Sequence, residues 1–318
     1  MMQEYLPFWA ALLRGLGFRV LLSPPSNART LELGNRHLPA ETCLPIKLVF
    51  GHVAALRDAG VDHILVPSVV TLDDPTRKTG QVCPFTSAVP FMARAVIDAT
   101  ILTPALVLGK EYSHFAEEMG PTLEALGAPA SLLRPAYERG LAAQAAFRRE
   151  LRRRGEELLA SDFTHALVVV GRPYNLFDGY LNLNLGRHLA RLGVLAFPQG
   201  FLPADDVDLT DHGELLPWRF PRDAMRAAVY SLRDPRLHTV LVTNFACGPD
   251  SFVQKYLLDA LSDRPPLVLE FDEHRGEAGM VTRIEAYLDQ IRQQAPARPR
   301  RPERMPKPPS RLDQGPFY

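Results

Sequence analysis

A chain of 318 residues, 46% hydrophobic and 23% charged, is long enough for about two ordinary domains and can bury ordinary cores. Its 36 basic and 36 acidic residues cancel, so no global field draws it to nucleic acid or to a membrane surface, and no apolar run approaches the roughly 18 residues of a spanning helix. The start, Met1-Met2-Gln3-Glu4-Tyr5, lacks the basic and apolar regions of a signal peptide, and three well-separated cysteines make no disulfide framework, so a cytoplasmic protein is expected.

Leu6 to Leu16 carries apolar residues at helical spacing and stops at Gly17, a favourable residue just past a helix end. Phe18 to Leu22 predicts a short buried strand, followed by a Ser23-Pro24-Pro25-Ser26-Asn27 turn and a short helix or irregular segment over Thr30 to Leu38. Cys43-Leu44-Pro45 opens an apolar-periodic helix to Leu56 that ends by Gly60. Val61 to Val66 then predicts a strand and Leu72 to Gly80 a polar loop. Cys83-Pro84 opens another helix, to Ile97, and Ile101 to Leu108 predicts a third strand interrupted at Pro104. Helices are expected over Tyr112 to Leu126 and Arg134 to Leu159. The charged face of the second reads as solvated rather than as a nucleic-acid surface, because acids are interleaved with its arginines.

Ala166 to Val170 is a continuous apolar run of the kind buried in a parallel sheet, and it ends in Gly171-Arg172-Pro173-Tyr174-Asn175. A helix over Leu181 to Leu192, a strand over Val194 to Phe197, a polar loop over Asp205 to Pro217 and a helix over Pro221 to Leu232 follow. Thr239 to Val242 leads into Thr243-Asn244-Phe245-Ala246-Cys247, and an amphipathic helix runs from Ser251 to Leu261. Leu267 to Phe271 is a further strand and Met280 to Ile291 a closing helix. Strand and helix alternate throughout, which predicts an α/β fold of two doubly wound parallel sheets, Rossmann- or flavodoxin-like, with a cleft between them. The expected divisions are an N-terminal domain over 1–133, a connecting helix over 134–160, a C-terminal domain over 161–294, and a disordered Pro- and Arg-rich tail over 295–318.

Cys43, Cys83 and Cys247 each stand on a turn that opens a helix, with proline one or two residues later, where its missing N–H costs nothing. Free N–H groups and the helix dipole there favour thiolate, the metal-binding form. Two readings stand at this point: buried small hydrophobes, or a three-thiolate site. Zinc prefers four ligands in closely spaced pairs, whereas three thiolates suit an iron–sulfur cube with one iron lacking a protein sulfur. Arg172, Tyr174 and Asn175 lie on a strand-end turn and are candidates for orienting a substrate. The plainer reading is a turn in which Arg172 pairs with Asp178. His274, in Asp272-Glu273-His274, is a candidate proton carrier or a residue of a solvent-facing acidic turn. His52 reads equally as a satisfied helix histidine. Neither a phosphate-binding P-loop nor a GxSxG elbow occurs.

The runs Glu41 to Lys47, Gly171 to Asn175, Cys247 to Phe252, and Asp272-Glu273-His274 with Thr282 to Ala286 resemble the acyl-CoA dehydratase activase-related proteins. These are relatives of the 2-hydroxyacyl-CoA dehydratase subunits and of double-cubane cluster proteins, and the resemblance extends from Pro7 to Ile291. It implies a 4Fe-4S cluster held by Cys43, Cys83 and Cys247. It also implies an ATP-dependent activator of the actin-like ATPase fold, acting in trans, that supplies low-potential electrons for reductive radical chemistry on an acyl-CoA or other small substrate. A double-cubane centre needs more thiolates than one chain owns, which predicts one cluster per chain unless a dimer shares a site. Arg172, Tyr174, Asn175 and His274 are then the catalytic candidates. The alternatives are a non-catalytic iron–sulfur electron-transfer partner and a metal-free thiol enzyme using Cys247 as nucleophile.

Overall fold

The structure, a computed structural model, describes residues 2–74, 77–107, 111–213, 216–274 and 276–293. In its second half β6 (Ala166–Gly171), β7 (Leu195–Pro198), β8 (Leu237–Asn244) and β9 (Leu267–Phe271) form a parallel sheet in the order β7-β6-β8-β9. Every residue of β6 and β8 is buried, as their unbroken apolar runs require of strands covered on both faces. On one face Ala166, Val168, Val170 and Leu241 pack against Met225 and Ala228 of α10 (Arg219–Ser231) and Val253 and Leu257 of α11 (Gly248–Ala260). On the other, Leu167, Val169, Val240 and Val242 meet Leu189 of α8 (Leu185–Arg191) and Met280, Ile284 and Leu288 of α12 (Glu277–Gln293). The chain goes from β6 outward to β7, then returns to the other side of β6 as β8. The strand order therefore reverses between β6 and β8, and in such sheets the crevice beyond that point is where ligands bind.

The first half is built differently. It comprises α1 (Met2–Gly15), α2 (Ala28–His37), α3 (Leu44–Asp58), α4 (Pro84–Val96) and α5 (Tyr112–Leu126) around short strands. β1 (Ile64–Leu65) pairs with β4 (Ile101–Leu102), while β2 (Ser68–Asp74) pairs in parallel with β5 (Ala105–Val107) and antiparallel with β3 (Arg77–Gln81). The offset between partners is the same in the two parallel pairs, so Pro67 stands opposite Pro104. Each lacks a ladder donor, and the ladder is interrupted there. The purely parallel first sheet expected from the alternation is thus corrected to a parallel pair and a mixed, three-stranded sheet. The polar stretch Leu72 to Gly80, expected as a loop, forms most of the β2–β3 hairpin, with residues 75 and 76 outside the described set. Its edge is held by the second half: the Gln81 N–H donates to Pro217 O at 2.9 Å, and Gly80 lies against Arg219.

Four further expectations change. Phe18 to Leu22 has no partner strand and remains irregular, with Leu21 and Leu22 exposed. The third strand splits into β4 and β5, and Leu108 lies outside the described residues. The helix expected from Leu181 begins only at Leu185. Asp178 accepts the N–H groups of Tyr180 and Leu181, and Leu183 and Asn184 take left-handed φ values of 53° and 54°. The Asp205 to Pro217 stretch contains a short helix, α9 (Thr210–Gly213), and sends Val207, Leu209 and Leu216 into the core.

The halves are joined by α6 (Leu133–Leu159), which lies along α1, with Gly140 against Phe8 and Gly155 against the Phe201 carbonyl. They also share side chains: Phe220 of α10 enters the first-half core beside Val69, Leu72 and Leu106. Leu44 and Leu48 of α3 pack with Leu181. Among the described residues no helix is long and apolar enough to cross a membrane. The expected tail over 295–318 lies outside the described residues.

Candidate functional site

Cys43, Cys83 and Cys247 are the N-cap residues of α3, α4 and α11, all in extended conformation, each with proline in the first two helical positions. None uses its sulfur to cap the helix. Instead each cysteine carbonyl accepts from the helix it opens, from Ile46 N at 3.0 Å, Thr86 N at 2.8 Å and Ser251 N at 2.9 Å. The sulfurs stand at helix ends whose first N–H groups lack an intrahelical partner, with hydrogen-bonding contact from Ile46 and Thr42 at Cys43 and from Asp250 at Cys247. At Cys247 the geometry is sharper: Ala246 adopts φ 64°, a left-handed conformation unusual for a residue with a Cβ, and turns the chain back over the end of β8.

Around these turns the two halves meet. Arg172, the N-cap of α7 (Pro173–Phe177), follows β6 and is 3% exposed. Its Nε donates to Asp250 Oδ1 at 2.7 Å, and its Nη2 stands 4.0 Å from Cys247 Sγ. Thr243 Oγ1 donates to the other Asp250 oxygen at 3.2 Å. Burial works against the Arg172 charge, and Asp250, with Tyr174 and Cys247, more than offsets it, so the guanidinium is held protonated. Arg172 therefore pairs with Asp250; the Asp178 partner expected from the turn instead accepts from Ser26 at 2.5 Å. Tyr174 packs with Leu44, Leu48 and Leu181, and burial pushes its phenol well above the ordinary value. It feels charge at both Cys247 and Cys43, and Cys43 in turn feels Cys83 and Arg172.

The expectation that helix N-termini make these sulfurs thiolates is corrected for Cys43 and Cys247. Burial pushes Cys43 up, and burial with the Asp250 carboxylate pushes Cys247 up to about 12, outweighing the help of Arg172. Desolvation of an anion exceeds the dipole's contribution when the helix end is covered.

Asn175 is buried and donates through Nδ2 to Val242 O at 3.2 Å, while Asn182 Nδ2 donates to the carbonyls of Asn175 and Leu176. Asn175 thus braces α7 against β8. His274 is exposed on the turn after β9, its backbone N–H donating to Asp272, and no contact brings its ring to the cysteines. Its neighbour Glu273 does reach the seam, accepting from Lys47 Nζ at 2.6 Å. Lys47, buried one turn into the Cys43 helix, also pairs with Glu41. Burial opposes its charge, and Glu273 and Glu41 together raise its pKa. Lys47, Asp250 and Asn244 are site-bordering residues not singled out from sequence. Among the described residues neither amide atom of buried Asn244 has a hydrogen-bond partner. Only the position of Asp250 in the first turn after Cys247, beside a dipole that favours acids, could have marked it in advance.

Among the described residues no three His, Cys, Asp or Glu side chains are grouped as one metal ion requires. A single zinc, with sulfur bonds of about 2.3 Å, needs its thiolates within about 4 Å of one another. An iron–sulfur cluster distributes its ligands over several metal atoms and tolerates wider spacing. The candidate donors are sulfur alone, and at Cys247 the sulfur is faced by the buried Arg172 guanidinium, a chemistry that suits such a cluster.

Fold and site define an α/β protein with cysteine-bearing helix N-termini beside a parallel-strand switch. Residues 1–202 match the family described as CoA enzyme activase uncharacterised domain, and the chain belongs to that family, as an acyl-CoA dehydratase activase-related protein. The match takes in Cys43, Cys83, Arg172, Tyr174 and Asn175 and ends before Cys247 and His274. No curated protein matches the chain.

Proposed function

We propose that this chain is an iron–sulfur protein whose 4Fe-4S cluster is held by Cys43, Cys83 and Cys247 in the cleft between two α/β domains. Such a group supplies one-electron transfer at low potential when bound. The observation that carries the reading is the threefold recurrence of one local device, an extended N-cap cysteine followed by proline, with the buried Arg172 guanidinium 4.0 Å from the sulfur of Cys247. The roles of the chain's own residues follow. Arg172 offsets thiolate charge, Tyr174 with Leu44 and Leu181 excludes water, and Lys47 ties the Cys43 helix to the β9 turn. Membership of the CoA enzyme activase family supports a partner in trans, read here as an ATP-dependent activator that delivers electrons, and an acyl-CoA or similar small substrate.

Purification without oxygen, with iron, sulfide and the visible spectrum measured, tests this directly. Iron and acid-labile sulfide in equal amounts are expected, with a broad charge-transfer band. Alanine at any one of the three cysteines should remove most of the iron; unchanged iron in the single variants refutes the ligand assignment. A change in the spectrum on adding acyl-CoA compounds marks a substrate-binding protein, and an unchanged spectrum marks a pure electron-transfer partner.

A further inference from the structure

Resting on the iron–sulfur reading, we infer that Arg172 and Asp250 act as a buried pair of opposed charges that sets the reduction potential of the group held at Cys247. Arg172 favours its electron-rich state and Asp250 opposes it. The side chains are 3% and 5% exposed and meet at 2.7 Å, so neither charge is screened by solvent as a surface ion would be. The remaining edge of the guanidinium is aimed at Cys247 Sγ, 4.0 Å away. Asp250 sits behind it in the first turn of the helix that Cys247 opens, fixed by Thr243 Oγ1.

Stability alone is a poor reason for the pair. Taking two charges from water costs about what their attraction returns, and apolar residues of similar volume commonly serve as well. Net charge and hydrogen bonding near the sulfurs are, by contrast, established controls of iron–sulfur potentials. Arginine suits the task because it keeps its charge at every working pH and its planar fork can serve carboxylate and sulfur together. The turn residue expected to face a substrate is in this structure withdrawn from solvent and faces the cysteine. The electron comes from a strong one-electron reductant, titanium(III) citrate in the test below, which is oxidised to titanium(IV). No covalent bond or proton moves.

The test is a redox titration of the full-length chain, prepared without oxygen, with iron and sulfide measured on each variant. Arg172→Gln should lower the midpoint potential and Asp250→Asn should raise it. Each should change the oxidised-to-reduced ratio at fixed potential by about tenfold or more, which for a one-electron couple is about 59 mV. The double variant Arg172→Gln/Asp250→Asn, which leaves no unpaired buried charge, should fall between the two single variants, and Arg172→Lys, which keeps the charge without the fork, should lie closer to wild type than Arg172→Gln. Lysine and the double variant keep the comparison available if Arg172→Gln fails to fold. Two single variants shifting in the same direction, or neither shifting by as much as about twofold in that ratio with iron intact, overturns this inference alone. A wild-type chain without iron and sulfide overturns the function proposed above and this inference with it.

Discussion

Gly171→Ala is the most direct probe of how the site is held. Gly171 ends β6 with φ 156°, and a Cβ there would stand 2.4 Å from the carbonyl oxygen of Val242 on β8, to which it is paired. Restoring ordinary contact requires a separation of about 1 Å. The obstructing atom is backbone, within the central ladder, and it also accepts from Asn175 Nδ2. The Gly171 N–H is itself held by Gln199 Oε1 at 2.9 Å. Two weakened hydrogen bonds cost about 1 kcal/mol each, and placing a side chain in a backbone region nearly reserved for glycine costs about 1 to 3 kcal/mol more. The expected loss is about 3 to 5 kcal/mol, seen as a shifted urea midpoint and a Tm lower by roughly 5 to 8 °C in a chain of this size. Gly186→Ala in α8, where nothing lies within 4 Å of the added Cβ, serves as control and should be neutral or slightly stabilising. A Gly171→Ala protein within about 0.5 kcal/mol of wild type would refute the description of this strand end, and with it the positioning of Arg172 one residue later.

Two other outcomes follow from buried polar groups. Burial first, then Arg264 and His165, lower the pKa of His238 from 6.5 to about 4, so the folded state resists a proton that the unfolded state accepts. That contribution is fully present above pH 6.5 and is lost as pH falls toward 4. The loss amounts to about 2 kcal/mol at pH 5, and urea unfolding at pH 7 and 5 should show it in wild type and much less of it in His238→Gln. Asn182→Ala strips the donor shared by the Asn175 and Leu176 carbonyls and should cost about 2 to 3 kcal/mol by chemical denaturation; a loss below about 0.5 kcal/mol would mean that water replaces the amide.

The second-half sheet was legible because β6 and β8 are unbroken apolar runs, and a strand covered on both faces needs such a run whatever its neighbours. The first half misled at Leu72 to Gly80, where polarity suggests a loop. The hairpin's identity comes from pairing with β5 and from the contact with Trp218, partners far away in the chain. Phe18 to Leu22 differs the other way, a strand-like run that pairs with no strand among the described residues. Arg172 stands out in the sequence, but the partner that its turn suggests is not the one it takes. Asp178 is nearer along the chain, whereas Asp250 arrives only when β8 docks beside β6.

The amino-acid sequence by itself determined the local device: an extended cysteine, then proline, then a helix, at three places, because N-terminal helical turns are governed by the few residues that compose them. Tertiary structure alone decided what those turns do together. It set Arg172 between Asp250 and Cys247, closed Lys47 onto Glu273, and covered the helix ends so that desolvation outweighs the dipole at Cys247. Burial and charge pairing depend on what lies across the seam, and that is fixed by packing between segments remote in sequence.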